Sequence, residues 1–188
     1  MTTTFRQHSL ESAPQESRES LQAVRRGLGF VPNLFATLSE SPVTLKGYLG
    51  LDAVLARGTF SPAERQILLT AVSSANGCAY CTAAHSTLAY GVRVAPDAVA
   101  AARGEGTAKD ARIDTLVRFT HAVVRTRGRI APGELAAFFA AGFTPAQALE
   151  VVAHAGLKTI SNYIEGIAHV PLDAAFEAQR WEPIAAAV

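Results

Sequence analysis

An all-helical fold is what this sequence predicts. Alanine is its commonest residue, β-branched runs are short, and apolar residues recur at spacings of three and four between Pro and Gly breaks. The 188 residues are 49% hydrophobic and 18% charged, which suits a compact globular protein and argues against a disordered segment or a coiled-coil rod. A chain of this size buries roughly 70% of its unfolded surface, enough for a core without disulfide or metal staples. No long linker divides it, so residues 1–188 read as a single domain.

The helices can be placed one after another from their start and stop signals. Pro14 to Arg26 is a first amphipathic helix, with Leu21, Val24 and Leu28 on one face and Gly27 and Gly29 ending it. Val31-Pro32-Asn33-Leu34-Phe35 starts a short one. Ser41-Pro42 opens a longer helix through Leu45, Leu49, Leu51, Val54 and Leu55, closed by Gly58. Ser61-Pro62-Ala63-Glu64 is a capping box: Ser61 caps, Pro62 fits the first turn and Glu64 reaches back to the cap amide. That helix runs to about Ala75, Asn76-Gly77 turns the chain, and Cys78 to Tyr90 forms the next, with Cys78 in its first turn. Further helices are expected at Pro96–Arg103, Ala108–Thr126, Pro132–Ala141, Pro145 to about Ile167, and Leu172–Gln179. Thr144-Pro145-Ala146-Gln147 repeats the capping chemistry of Ser61–Glu64, the pattern an internal duplication of helical units would leave.

With 17 Lys and Arg against 16 Asp and Glu the net charge is +1, which offers no basic patch for a phosphate backbone, so no nucleic-acid partner is expected. The N-terminal residues lack a basic and then apolar run, and no stretch approaches 18 uninterrupted apolar residues. The expectation is a cytoplasmic protein with no membrane partner. In a reducing cytosol, two cysteines separated by two residues point to redox or metal chemistry more than to a structural bridge.

Residues three and four apart on a helix share a face, so Cys78, Cys81 and His85 line one stripe. Cys78 lies where the helix dipole favours an anion, which favours its thiolate. His85, four residues after Cys81, can take up the Cys81 proton or pair with its thiolate. Two such thiols can reduce a peroxide. One attacks the O–O bond and becomes a sulfenic acid; the other condenses with it and releases water. A Cys2His metal site is the rival, although this spacing departs from common zinc patterns and His8, His121, His154 and His169 are scattered.

Asn76-Gly77-Cys78-Ala79-Tyr80-Cys81-Thr82-Ala83-Ala84-His85, preceded by Ser61-Pro62-Ala63-Glu64-Arg65-Gln66 and the run Ile67–Ser73, resembles the alkylhydroperoxidase D-like branch of the carboxymuconolactone decarboxylase superfamily. Val31-Pro32-Asn33 and Lys158–Tyr163 extend the likeness over most of the chain. The resemblance implies an all-helical AhpD-like bundle, oligomers of two, three or six subunits, and peroxidase activity through the cysteine pair. It implies Cys81 as the attacking thiolate, Cys78 as the resolving thiol and His85 as the proton relay. No cofactor beyond the Cys78–Cys81 disulfide is implied, and an external thiol or lipoyl-type reductant, carried by an unidentified protein, is expected to recycle it. The chain departs from the pattern at two positions: Gln66 stands where a glutamate is usual and Tyr80 where a histidine is. Gln66 remains a candidate site residue that can hydrogen-bond a thiol, His85 or water. Its lack of charge also motivates a second class of function, a redox sensor or disulfide-exchange protein without turnover. Glu64 is explained by the capping box, and Tyr80, Asn76, His121, His154, Asn162, Tyr163 and Trp181 are explained by packing or turn roles.

Overall fold

The computed structural model describes residues 5–183. Nine α-helices run through them: α1 Gln15–Leu28, α2 Asn33–Leu38, α3 Pro42–Leu55, α4 Pro62–Ala75, α5 Ala79–Gly91, α6 Pro96–Ala102, α7 Ala111–Thr126, α8 Pro132–Ala140 and α9 Pro145–Ala168. A 3-10 stretch, Ala174–Gln179, follows. The all-helical expectation holds. No single helix among the described residues is long and apolar enough to cross a membrane.

Helix α4 is the central post, packed on α5, α6, α7 and α9. Its seven consecutive buried residues, Ile67 to Ser73, leave no solvent face over two turns. The start is fixed as the sequence predicts. The Glu64 amide donates to Ser61 Oγ at 3.2 Å and the Ser61 amide to Glu64 Oε2 at 3.0 Å. The same reciprocal pair forms at Thr144 and Gln147 and opens α9. Between α4 and α5, Gly77 takes φ +70°, a conformation that an L side chain rarely adopts. That turn swings the chain so that α5 packs back along α4.

The boundaries depart from expectation in a few places, each with a local cause. Cys78 lies just outside α5: its backbone is extended and its Sγ accepts the Cys81 amide at 3.3 Å, so the thiol itself caps the helix. Asp110 caps α7 by accepting the amides of Arg112 and Ile113, which starts that helix at Ala111 rather than Ala108. The last element is a 3-10 stretch rather than an α-helix from Leu172. Leu51 and Val54, expected among the apolar positions of α3, are exposed, and Leu28 is exposed at the end of α1. Trp181 is buried. On α9, Leu149, Val152, Ile160, Tyr163 and Ile167 form an exposed apolar stripe at helical spacing.

Two main clusters make the core. One joins α4, α6, α7, α8 and the start of α9. Phe138 is its centre, stacked on Phe119 at 4.0 Å and on Phe143 at 4.2 Å between ring centroids. The other joins α1, α2, α3, α5 and the C-terminal stretch, and both cysteines are buried in it.

Candidate functional site

A cavity of about 290 Å3 opens beside the second cluster. Its aromatic and aliphatic walls include Leu34, Phe35, Tyr48, Tyr80 and Phe176, with Leu28 and Pro32 also contributing. The polar groups that reach it are Asp52, Arg65, Gln66, Cys81, His85 and Lys158. An apolar cleft with a few convergent polar groups is the usual form of a small-molecule site.

The sequence-predicted residues divide around this cavity. Cys81, Gln66 and His85 line it; Cys78 does not and stands on the other side of Cys81, with its Sγ 3.5 Å from Glu165 Oε2. Both cysteines are free thiols. Gln66 is drawn into the site by the packing of α4 against α5, which sets its Oε1 3.0 Å from His85 Nδ1. Burial, followed by the charges of Lys158 and Arg65, holds His85 well below its ordinary value. The imidazole is therefore neutral. It donates Nδ1–H to Gln66, which leaves the lone pair on Nε2. That corrects one expectation: a neutral imidazole is not the cationic partner of a Cys81 thiolate.

Lys158 is a second basic group on the wall of the cavity. It reaches the cavity from α9 and is buried to 1% exposure. Burial alone works against its ammonium form, but the charge of Cys81 and the neighbouring Tyr48 outweigh burial and raise its pKa. Cys81 is lowered in turn. A hydrogen bond from the Cys78 thiol is the largest cause, followed by the charge of Lys158 and hydrogen bonds from Asn162 and Ser161; burial opposes them. Cys78 is raised, first by that hydrogen bond to Cys81, then by burial and the charges of Cys81 and Glu165. The Cys81 amide at the helix terminus does favour a Cys78 thiolate, but one backbone N–H is outweighed by the hydrogen bond to Cys81, by burial and by the charges of Cys81 and Glu165.

Helix α9 carries the half of the site that sequence reasoning missed. Lys158, Ser161, Asn162 and Glu165 fall at i, i+3, i+4 and i+7, one stripe facing the cysteines. Ser161 Oγ lies 4.0 Å from Cys81 Sγ. Asn76 ends α4, as a turn residue should, and its amide also donates to Asn162 Oδ1 at 2.9 Å, which holds that side chain in place. The tell-tale was present in the sequence: a lysine set in an apolar, alanine-rich helix. Tyr80 lines the cavity, but its hydroxyl is committed. It donates to Asp173 and accepts the Leu34 amide at 3.3 Å. Asp173 also takes the Asn33 amide, so this carboxylate ties α2, α5 and the C-terminal stretch together. His154 donates its Nδ1–H to the Glu150 carbonyl, His121 lies near Ser74 and Ala102, and Tyr163 is exposed. None of these three lines the cavity. Among the described residues no group of three or more His, Cys, Asp or Glu side chains is arranged to hold a metal ion.

A buried dithiol at the start of a helix, with Cys81 facing an apolar cavity in an all-helical scaffold, is similar to what the alkylhydroperoxidase D-like resemblance implies. Residues 42–122, from the start of α3 into α7, match the model of the Carboxymuconolactone decarboxylase family, and this segment carries the resemblance stated from the sequence. Most of the chain superposes on solved structures. An alkylhydroperoxidase AhpD core structure, a peroxidase-related protein from Ralstonia eutropha JMP134, matches with a TM-score of 0.81 at 22% identity, covering 92% of this chain and 93% of that one. A peroxidase-related protein from Silicibacter sp. TM1040 matches at 0.79 and 20%, covering 95% and 96%. The debrominase Bmp8 matches at 0.75 and 19%, covering 88% and 90%. A cysteine-to-alanine variant of Bmp8 in complex with 2,3,4-tribromopyrrole matches at 0.77 and 20%, covering 95% and 96%. At these identities the likeness shows the fold. No curated protein sequence matches the chain.

Proposed function

We propose that this protein is a thiol-dependent peroxidase that reduces hydroperoxides through a Cys78–Cys81 dithiol–disulfide cycle. The observation that carries the reading is the division of labour around the cavity: Cys81 faces it with a lowered pKa, and Cys78 stands behind as a protonated thiol. The Cys81 thiolate attacks the terminal oxygen of the hydroperoxide, the O–O bond breaks, and the alkoxide leaves and takes up a proton to become the alcohol. The His85 Nε2 lone pair is suited to accept a hydrogen bond from the hydroperoxide O–H and orient it, with Gln66 fixing the tautomer. Cys78 then attacks the Cys81 sulfenic acid, forming the disulfide and releasing water. An external dithiol reduces the disulfide and is itself oxidised; a reducing cytoplasm is the compartment this cycle suits. The exposed stripe on α9 supports assembly into a homo-oligomer, which light scattering on the purified protein checks.

A second reading, reductive debromination of an aromatic substrate, is favoured by the aromatic walls and by the fold shared with Bmp8. There the two thiols would supply both electrons: aryl bromide plus dithiol gives arene, hydrogen bromide and the disulfide. The deciding assay follows consumption of an organic hydroperoxide with a dithiol reductant under metal-free conditions, in wild type, Cys78→Ser and Cys81→Ser. Turnover in wild type that is lost in both variants is expected. Turnover that survives both changes overturns the dithiol cycle. A disulfide that forms and reduces without turnover favours a redox sensor, and bromide release from a bromopyrrole in the parallel assay favours the second reading.

A further inference from the structure

The peroxidase reading leaves one buried charge unexplained. Lys158 is almost fully enclosed, and among the described residues no carboxylate lies within ion-pair distance of it. The charged and titratable groups around the cysteines have other commitments. From α3, Asp52 pairs with Arg65 of α4 at 2.6 Å, and Tyr48 hydrogen-bonds Lys158. From α5, His85 is held by Gln66 and Tyr80 by Asp173. From α9, Glu165 faces Cys78. A buried ammonium without an anion is costly, so its partner must be one the site makes for itself. Among the described residues lining the cavity, two acidic groups beside Lys158 lie outside any ion pair: the Tyr48 phenol, which hydrogen-bonds it, and the Cys81 thiol, the more acidic of the two by nature.

We infer that Lys158 is the resident counter-ion of the Cys81 thiolate, and that it biases the Cys78–Cys81 pair toward the reduced form so that its disulfide is a strong oxidant. Oxidation turns the thiolate into a neutral disulfide sulfur and leaves the ammonium enclosed with no anion. Whatever stabilises the thiolate form alone shifts the equilibrium toward it, because a dithiol whose reduced state is stabilised has an oxidising disulfide. The same charge that prepares Cys81 for attack therefore drives its regeneration. Lys158 acts through Cys81 and is a positioning residue for the chemistry.

The inference rests on Cys78 and Cys81 being a redox pair, but its test needs no hydroperoxide. The full-length protein is equilibrated with glutathione buffers, and the reduced fraction is read by alkylation and mass spectrometry. The reaction is protein disulfide plus two glutathione thiols giving Cys81 thiolate, Cys78 thiol, glutathione disulfide and one proton. Because one proton is released, the exchange constant of wild type is expected to rise about tenfold per pH unit near neutrality. In Lys158→Met it should lie at least about tenfold lower at neutral pH, a shift of about 30 mV toward a more reducing pair, with the steep rise displaced to higher pH. Lys158→Gln, which keeps a polar head, should behave as Met does, so failure of one variant to fold leaves the comparison intact. A flat profile in wild type that lies no higher than that of either folded variant overturns the inference. An equally steep, unshifted profile in either folded variant also overturns it. Absence of hydroperoxide turnover with these glutathione results intact would instead sink the peroxidase reading alone.

Discussion

The two core clusters are buried to a similar degree and do different work. Around Phe138 the interior is closed by shape: three stacked rings, aliphatic neighbours from α4 and α6, and the Arg112 guanidinium 3.8 Å over the Phe143 ring as a cover. Around the cysteines the interior is not closed by shape. A cavity remains, and the α9 side chains of Lys158, Ser161 and Asn162 stand against it or its thiol. Apolar burial in the first cluster supplies the stability that lets the second hold polar groups in a low-dielectric setting. The difference shows where chemistry resides: in the part of the core whose polar groups have mainly one another for partners.

That division can be broken from either side. Phe138→Ala should have the largest effect, removing the central ring at a cost of roughly 3–5 kcal/mol in urea unfolding. The alkylation rate of Cys81 in the folded fraction should stay near wild type; a parallel loss of thiol reactivity would mean the two clusters are not separable. Tyr80→Phe tests the seam of the reactive cluster. It leaves Asp173 without the phenol hydrogen bond and should cost roughly 1–3 kcal/mol, with Cys81 alkylated faster as the cavity wall loosens. Per group, mild acid gives the smallest and most evenly shared effect. Burial is the leading cause of lowered pKa at His85 in the reactive cluster and at His121 and His154 elsewhere. Each binds its proton more readily when unfolded, so unfolding free energy should fall as pH drops below the free imidazole value, by at most about 1.4 kcal/mol per pH unit for each histidine. Urea titrations at neutral and mildly acid pH check this, and His85→Asn should make the slope shallower.

The helical architecture was legible because its signals are local. Proline at a first turn, a capping residue before it and glycine after the last turn act within a few residues, and α3, α4, α8 and α9 begin where those signals say. Cys78, Cys81, His85 and Gln66 were legible for the same reason, lying on one helix and its immediate neighbour. The order of acidity of the two thiols was not. Local reasoning credits the helix terminus to Cys78, whereas Lys158 and Glu165, brought in by α9, act on the two sulfurs with opposite sign. Asp173 escaped for a similar reason, since its partners at Asn33 and Tyr80 are distant in sequence.

The segment matching the family model ends at residue 122, before the chain has supplied Lys158, Asp173 or Phe176. What that segment carries is the reagent, a dithiol with its histidine and glutamine. The vessel around it is completed by later parts of the chain: a lysine on α9 and a wall pinned shut by the Asp173 carboxylate. Grafting residues 42–122 onto another helical frame would transplant two sulfurs without the charge that sets their order or the wall that selects what reaches them. Divergence in substrate among proteins sharing this frame is therefore to be sought on both sides of that segment, where Leu34, Phe35, Lys158 and Phe176 complete the wall and no reacting atom lies.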